Sequence, residues 1–265
     1  MSASNYQEKK NNLFLVLAGF FIMNALLAEI LGVKIFSLEK LLQIPPAQIS
    51  FFGQLTLDFN LTAGVILWPA VFLTTDIINE YFGKKGVRKI SFITVGLIAF
   101  AFLLIYVITI LPPADFWLDY NNQDAKGNPF NIDYAYNLIF QQGLGIMVGS
   151  LFAFLVGQLL DVFVFQKLRK ITGQKMIWLR ATGSTLVSQF IDSFVVLFIA
   201  FYFWGNWPIQ QVLAVGVINY IYKFSIAIVL TPLLYVGHMG IDLYLGKKNA
   251  ELLAEEAAES SKNLL

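Results

Sequence analysis

Ser184, Ser188 and Asp192 follow one another at intervals of four, and Thr185 and Gln189 lead into Asp192 by a step of four and then three. On a helix that spacing gives one continuous polar face carrying hydroxyls, an amide and a carboxylate. Such a face can bind a polar solute or hold a proton. Asn219 and Lys223, also four apart, put an amide and an ammonium on a second face. Both segments are otherwise apolar, and an ionisable group in apolar surroundings is costly unless it faces an interior, where it marks a site or a pathway. Gln158 and Asp161 share a face at a spacing of three, as do Asp76, Asn79 and Glu80. Asn24 lies in the middle of another apolar stretch, with Glu29 near its end and Lys34 beyond. The candidate solute-binding set is therefore Asn24, Glu29, Asp76, Gln158, Asp161, Ser188, Gln189, Asp192 and Lys223. Asp76 and Glu80 have a plainer role open as well, pairing with Lys84, Lys85 or Arg88 in the basic turn that follows.

A serine nucleophile at Ser184 or Ser188 would need a general base in reach. Lys223 serves as one only when uncharged, and Asp192 at similar depth favours the charged form, so the chain is not expected to be an enzyme. The chain has no cysteine, which excludes disulfides and thiolate metal sites. His238 is the one histidine and has no HExxH spacing around it, and no P-loop is present. Neither metal nor cofactor is expected, and the net charge of +1 gives no reason to expect nucleic acid as a partner.

The elements that must position these residues are membrane spans. Of 265 residues 57% are hydrophobic and 13% charged, about half the charged share of a soluble domain, so the surface must be largely apolar and the partner is the lipid bilayer. A helix needs roughly 20 apolar residues to cross the hydrocarbon core. Six windows qualify, near 13–33, 61–82, 90–111, 138–165, 181–204 and 212–236. The first follows a polar start with two lysines and has no small-residue cleavage pattern, so it is expected to stay as a span and not to be removed as a signal peptide.

Basic residues crowd the connections after the second span (Lys84, Lys85, Arg88, Lys89) and the fourth (Lys167, Arg169, Lys170, Lys175, Arg180), and Lys247 and Lys248 follow the sixth. The connection after the third carries Asp115, Asp119, Asp124 and Asp133 against Lys126 alone. The positive-inside rule then predicts an all-α, polytopic membrane protein with six transmembrane helices and both termini in the cytoplasm. Residues 1–248 form the transmembrane domain and 249–265 a cytoplasmic tail, a short helix expected to fray.

Counted from the outer ends, Asp192 and Lys223 lie at similar depths of roughly 12 and 11 residues, near the midplane, and are expected to pair. Gly145, Gly149, Ala153 and Gly157 recur every four residues, a stripe that admits a close helix neighbour from the same chain or from a second copy. The connection over 36–60, with Pro45-Pro46 and Phe51-Phe52-Gly53, is expected to be re-entrant or interfacial.

Four strings in order, NALLAEILGVKIF (Asn24 to Phe36), DIINEYFGKKGVRK (Asp76 to Lys89), GQLLDVFVFQKLR (Gly157 to Arg169) and WLRATGSTLVSQFIDSFV (Trp178 to Val195), resemble the vitamin-uptake family associated with queuosine-precursor transport. The resemblance runs over most of the chain, about Asn24 to Lys223. It implies a bacterial inner-membrane importer of 7-deazaguanine bases such as 7-cyano-7-deazaguanine (preQ0) and 7-aminomethyl-7-deazaguanine (preQ1). Asp192, Gln189, Gln158, Asn24 and Glu29 would meet the edges of a planar base, and Phe190, Phe194, Tyr220 or Trp68 its face. The other reading is a substrate-binding membrane subunit for a vitamin or nucleobase-like solute that depends on a separate energy-coupling partner. A homodimer is also open.

Overall fold

A computed structural model describes residues 3–32, 34–51, 55–141, 144–173, 176–203 and 206–262. In hydrocarbon every backbone N–H and C=O must be satisfied within its own segment, which is why the apolar windows become helices. Five helices among the described residues are long and apolar enough to cross a membrane. They are α1 (Ala3–Leu31), α3 (Trp68–Thr109), α6 (Leu144–Thr172), α7 (Ile177–Leu197, continued by a π-helical turn over Phe198–Phe203) and α8 (Ile209–Leu245).

The sequence predicts six spans, and the difference lies in α3, whose 42 residues take in both the second and the third window. The backbone leaves the helix at Gly83, with φ 64° and ψ −171°. A Cβ placed on Gly86 would lie 3.5 Å from Cγ2 of Ile78, eight residues earlier, whereas eight residues of straight helix cover about 12 Å. The chain thus folds back at Gly83, and residues 84–109 return alongside 68–82. Only glycine adopts that combination of angles readily.

α1 runs antiparallel to residues 68–82: Phe14 packs on Phe82 with ring centroids 4.9 Å apart, and Gly64 lies against Ala28 and Gly32. One buried cluster joins Phe21, Ala25, Val71, Ile78, Val87, Ile98 and Phe154, and a second joins Ile77, Tyr81, Phe165, Leu234, Ile241 and Leu253. Gly157 faces α7, where an added Cβ would meet the Asp192 Cβ at 3.5 Å, so this part of the small-residue stripe packs within the chain. The surroundings of Gly145 lie outside the described residues.

The connection over 36–60 is a pair of small antiparallel hairpins. β1 (Ile35–Ser37) pairs with β4 (Asn60–Thr62), and between them β2 (Ile49–Phe51) pairs with β3 (Leu55–Leu57). The short α2 (Leu38–Leu42) is N-capped by Ser37. Glu39, buried there, accepts hydrogen bonds from the Phe59 amide and from the Ser37 hydroxyl, the latter at 3.0 Å. A segment that satisfies its own backbone in this way needs no helix. The predicted fourth span is divided between the amphipathic α5 (Ile132–Gln141) and α6, after the acidic connection that holds α4 (Asp115–Tyr120).

The segment expected to fray is α9 (Lys247–Lys262), turned off α8 at Gly246. Its Ala250, Leu253, Ala254 and Ala257 are buried, a helical stripe seated on α3 and α8. Lys10 pairs with Glu256 at 2.9 Å, which ties the start of α1 to the same end of the bundle. That end, with both termini, the Gly83 turn and the α6–α7 connection, is the near end; the hairpins lie at the far end.

Gly83→Ala is expected to destabilise the protein by about 1–3 kcal/mol, the cost of a strained backbone position, and to lower the thermal midpoint of the detergent-purified protein. An unchanged midpoint would contradict the turn.

Candidate functional site

The interior polar groups fall into three layers along the bundle. Nearest the termini, Glu80 of α3 receives both NH2 bonds of Arg180, each at 3.0 Å, and an ion pair from Arg169 at 3.3 Å. Arg169 of α6 also donates to the Glu80 carbonyl at 3.0 Å and to the Ala254 carbonyl of α9 at 2.6 Å. Arg180 donates to the Gly173 carbonyl and stands over the Phe165 ring at 5.8 Å. Arg180 is completely buried, so two cations and one carboxylate are desolvated together. Beside them Gln166 donates to Asn79 at 2.6 Å, and the Tyr81 hydroxyl is 2.7 Å from Nδ1 of His238.

The sequence allows Glu80 to pair with the lysines or Arg88 of the turn that follows it, but the ion pairs run instead to α6 and α7. The reason is burial: Glu80 faces the bundle interior, where α6 and α7 are the helices packed against it.

The middle layer is built from α3, α6 and α7. Thr75 donates to Gln158 at 3.3 Å, and Ser188 donates to Asp161 at 3.2 Å. Asp76 is 6% exposed and Gln189 3% exposed, and neither Asp76 Oδ1 nor Gln189 Oε1 has a hydrogen-bond partner among the described residues. Asp76 and Asp161 are electrostatic neighbours, with Glu80 next in line.

In the third layer Lys223 of α8 donates to Asp192 of α7, the pair expected from their depths. Ser150 donates to Glu29 at 2.6 Å, bringing α6 to α1.

Two cavities flank the aromatic pair Trp68 and Phe72, whose rings stack 5.8 Å apart at 18°. The larger, about 570 Å³ including its mouth, lies between α3, α7 and α8 and is lined in part by Trp68, Phe72, Asp76, Thr185 and Lys223. The smaller, about 260 Å³ including its mouth, is lined by Trp68, Phe72, Phe154 and Gly157 together with Gln158, Asp161, Ser188, Gln189 and Asp192.

Seven of the nine predicted site residues thus line one cavity or the other. Glu29 reaches the neighbourhood through Ser150 and lies within electrostatic reach of Asp192 and Lys223. Asn24 is buried, but its amide donates to the Phe20 carbonyl of its own helix at 2.8 Å and lines neither cavity. Of the aromatic residues expected to face the base, Trp68 lines both cavities, while Phe190 and Phe194 line a wholly apolar groove with Phe198 and Leu213. Sequence reasoning placed Arg169 and Arg180 in a basic connection. The signal that could have found Arg169 is its spacing of three from Gln166, which puts both on the face of α6 that meets α3.

A bundle of apolar helices closed around carboxylates, amides, hydroxyls and one stacked aromatic wall has the construction of a membrane solute-transport protein. The chain belongs to the family described as "Putative vitamin uptake transporter", whose model matches residues 62–237. It is similar to the "Probable queuosine precursor transporter" of Haemophilus influenzae, 30% identical over 75% of each chain. It is also similar to the "Queuosine precursor transporter" of Escherichia coli, 30% identical over 65% of this chain and 70% of that one. The "Probable queuosine precursor transporter" of Bacillus subtilis is 29% identical over 68% of this chain and 73% of that one. No solved structure matches the chain. With its several apolar helices, the protein is a multi-pass protein of the bacterial inner membrane.

Truncating one partner of an ion pair leaves the other uncompensated, and the Lys223–Asp192 pair is partly buried. Lys223→Ala is expected to lower the thermal midpoint more than the double variant Lys223→Ala/Asp192→Asn, because the second change removes the stranded carboxylate charge. Equal losses in detergent-purified protein would show that the two side chains are not energetically coupled.

Proposed function

We propose that this chain imports queuosine precursors, 7-deazaguanine bases such as preQ0 and preQ1, through six transmembrane helices with both termini in the cytoplasm. The observation that carries the reading is the buried Asp76 oxygen, without a hydrogen-bond partner among the described residues, at a cavity walled by stacked Trp68 and Phe72. A deazaguanine base is flat and offers adjacent N–H donors along one edge, which a carboxylate accepts as a pair while an aromatic face covers the ring. Asp76 and Asp161 are the carboxylates for that edge, Gln158, Gln189 and Ser188 adjust its register, and the Asp192–Lys223 pair closes the cavities on the far side.

The six-span topology is supported by the reversal at Gly83 and by the gathering of both termini and the basic turns at the near end. An even number of crossings puts the termini on one side, and the basic residues make that side the cytoplasm.

In bacteria unable to make queuosine precursors, expression of the protein is expected to restore queuosine in transfer RNA at low external preQ0 or preQ1. Asp161→Asn at normal protein levels is expected to reduce that uptake at least tenfold, the loss that follows from about 1.4 kcal/mol or more of substrate interaction. No rescue despite membrane expression would reject the substrate assignment.

A further inference from the structure

The two layers around Asp76 hold three carboxylates, Asp76, Asp161 and Glu80, against two guanidinium groups, Arg169 and Arg180. With every group charged, one negative charge is left over on largely buried side chains. Glu80 takes both guanidinium groups by direct contact, so the surplus falls on Asp76 and Asp161. The hydrogen bonds Thr75–Gln158 and Asn79–Gln166 bracket these two aspartates on α3 and α6 and hold them in a common layer.

Among the described residues, the other charged groups around this layer are engaged elsewhere or are acids themselves. From α8, Lys223 is bound to Asp192, while His238 turns Nδ1 to Tyr81 and Asp242 adds a further acid. α7 contributes Arg180 and Asp192, α1 contributes Glu29 on the Ser150 hydroxyl, and α9 meets the layer through the Ala254 carbonyl. Independently, Gln189 Oε1, which lines the same cavity as Asp161, is 3% exposed and lacks a donor. Two buried acceptors without donors, next to one unbalanced charge, lack a hydrogen with a positive charge. Adjacent carboxylates in an apolar interior meet that need by sharing a proton.

We propose that Asp76 and Asp161 form a one-proton site and that import is coupled to it, one proton entering with each base. This rests on the importer reading above. The proton bound by the pair while it faces outward is released to the cytoplasm with the base, and the emptied pair takes up another from outside. Substrate and proton meet at the same carboxylates, so loading one depends on the other.

The test uses full-length protein in liposomes loaded with a pH-sensitive dye, and neutral preQ0 as the probe, so that any proton movement belongs to the protein. Labelled preQ0 is expected to enter with acidification of the lumen at one proton per base. With the membrane potential held at zero by potassium and valinomycin and an outside ten times more acidic than the lumen, it is expected to accumulate about tenfold above the external concentration, the limit that one coupled proton sets. Entry of preQ0 to equal concentrations without lumenal acidification would overturn the proposal and leave the importer reading standing. No entry under any gradient would overturn both. Asp76→Asn and Asp161→Asn are each expected to abolish base-dependent acidification; if both variants still move protons with the base, the pair is not the site.

Discussion

Glu80 sits between two guanidinium groups in a part of the protein that water does not reach, and four helices are fixed by that contact. Arg169 comes from α6, Arg180 from α7, Glu80 from α3, and the second hand of Arg169 holds the carbonyl of Ala254 in α9. Desolvating three charges is expensive, and it is tolerable only because nearly every donor has an acceptor at hydrogen-bond distance. Remove any member and a bare charge is left in a low-dielectric interior. The near end of the bundle is therefore held by polar geometry, since in lipid there is no hydrophobic force to press one apolar helix on another.

The same contact shapes the cavity above it. By using both guanidinium groups on Glu80, it leaves Asp76 and Asp161 without a direct ion pair among the described residues. Trp68 with Phe72 gives both cavities a flat boundary. Lys223 and Asp192 pair with one another farther along, and the two aspartates lie between that pair and the near-end ion pairs.

α9 shows how a polar, alanine-rich segment can be structural. Its alanines and Leu253 are small enough to let the helix lie close on α3 and α8, and Lys10–Glu256 adds an exposed tether. The family match ends at residue 237, so this docked helix lies beyond it. The closed near end is in part a feature of this chain's own C-terminal segment.

The amino-acid sequence by itself determined the solvent and the polar faces. Hydropathy settles that the chain lives in lipid, and helical spacing alone puts Ser188 and Asp192, or Gln158 and Asp161, on one face, because these follow from transfer energies and a fixed period. The Asp192–Lys223 pair was legible too, since depth can be counted along sequential helices. Tertiary structure decided which faces meet. That Glu80 would choose Arg169 and Arg180 over the adjacent lysines depends on contacts about 90 and 100 residues away in the chain, and no local period encodes those. It also decided that Asn24 would bond its own helix, that Trp68 and not Phe190 would wall the cavity, that residues 36–60 would pair as hairpins, and that the tail would dock. Each is a choice between partners of similar local merit, and only the packing of the whole bundle distinguishes them.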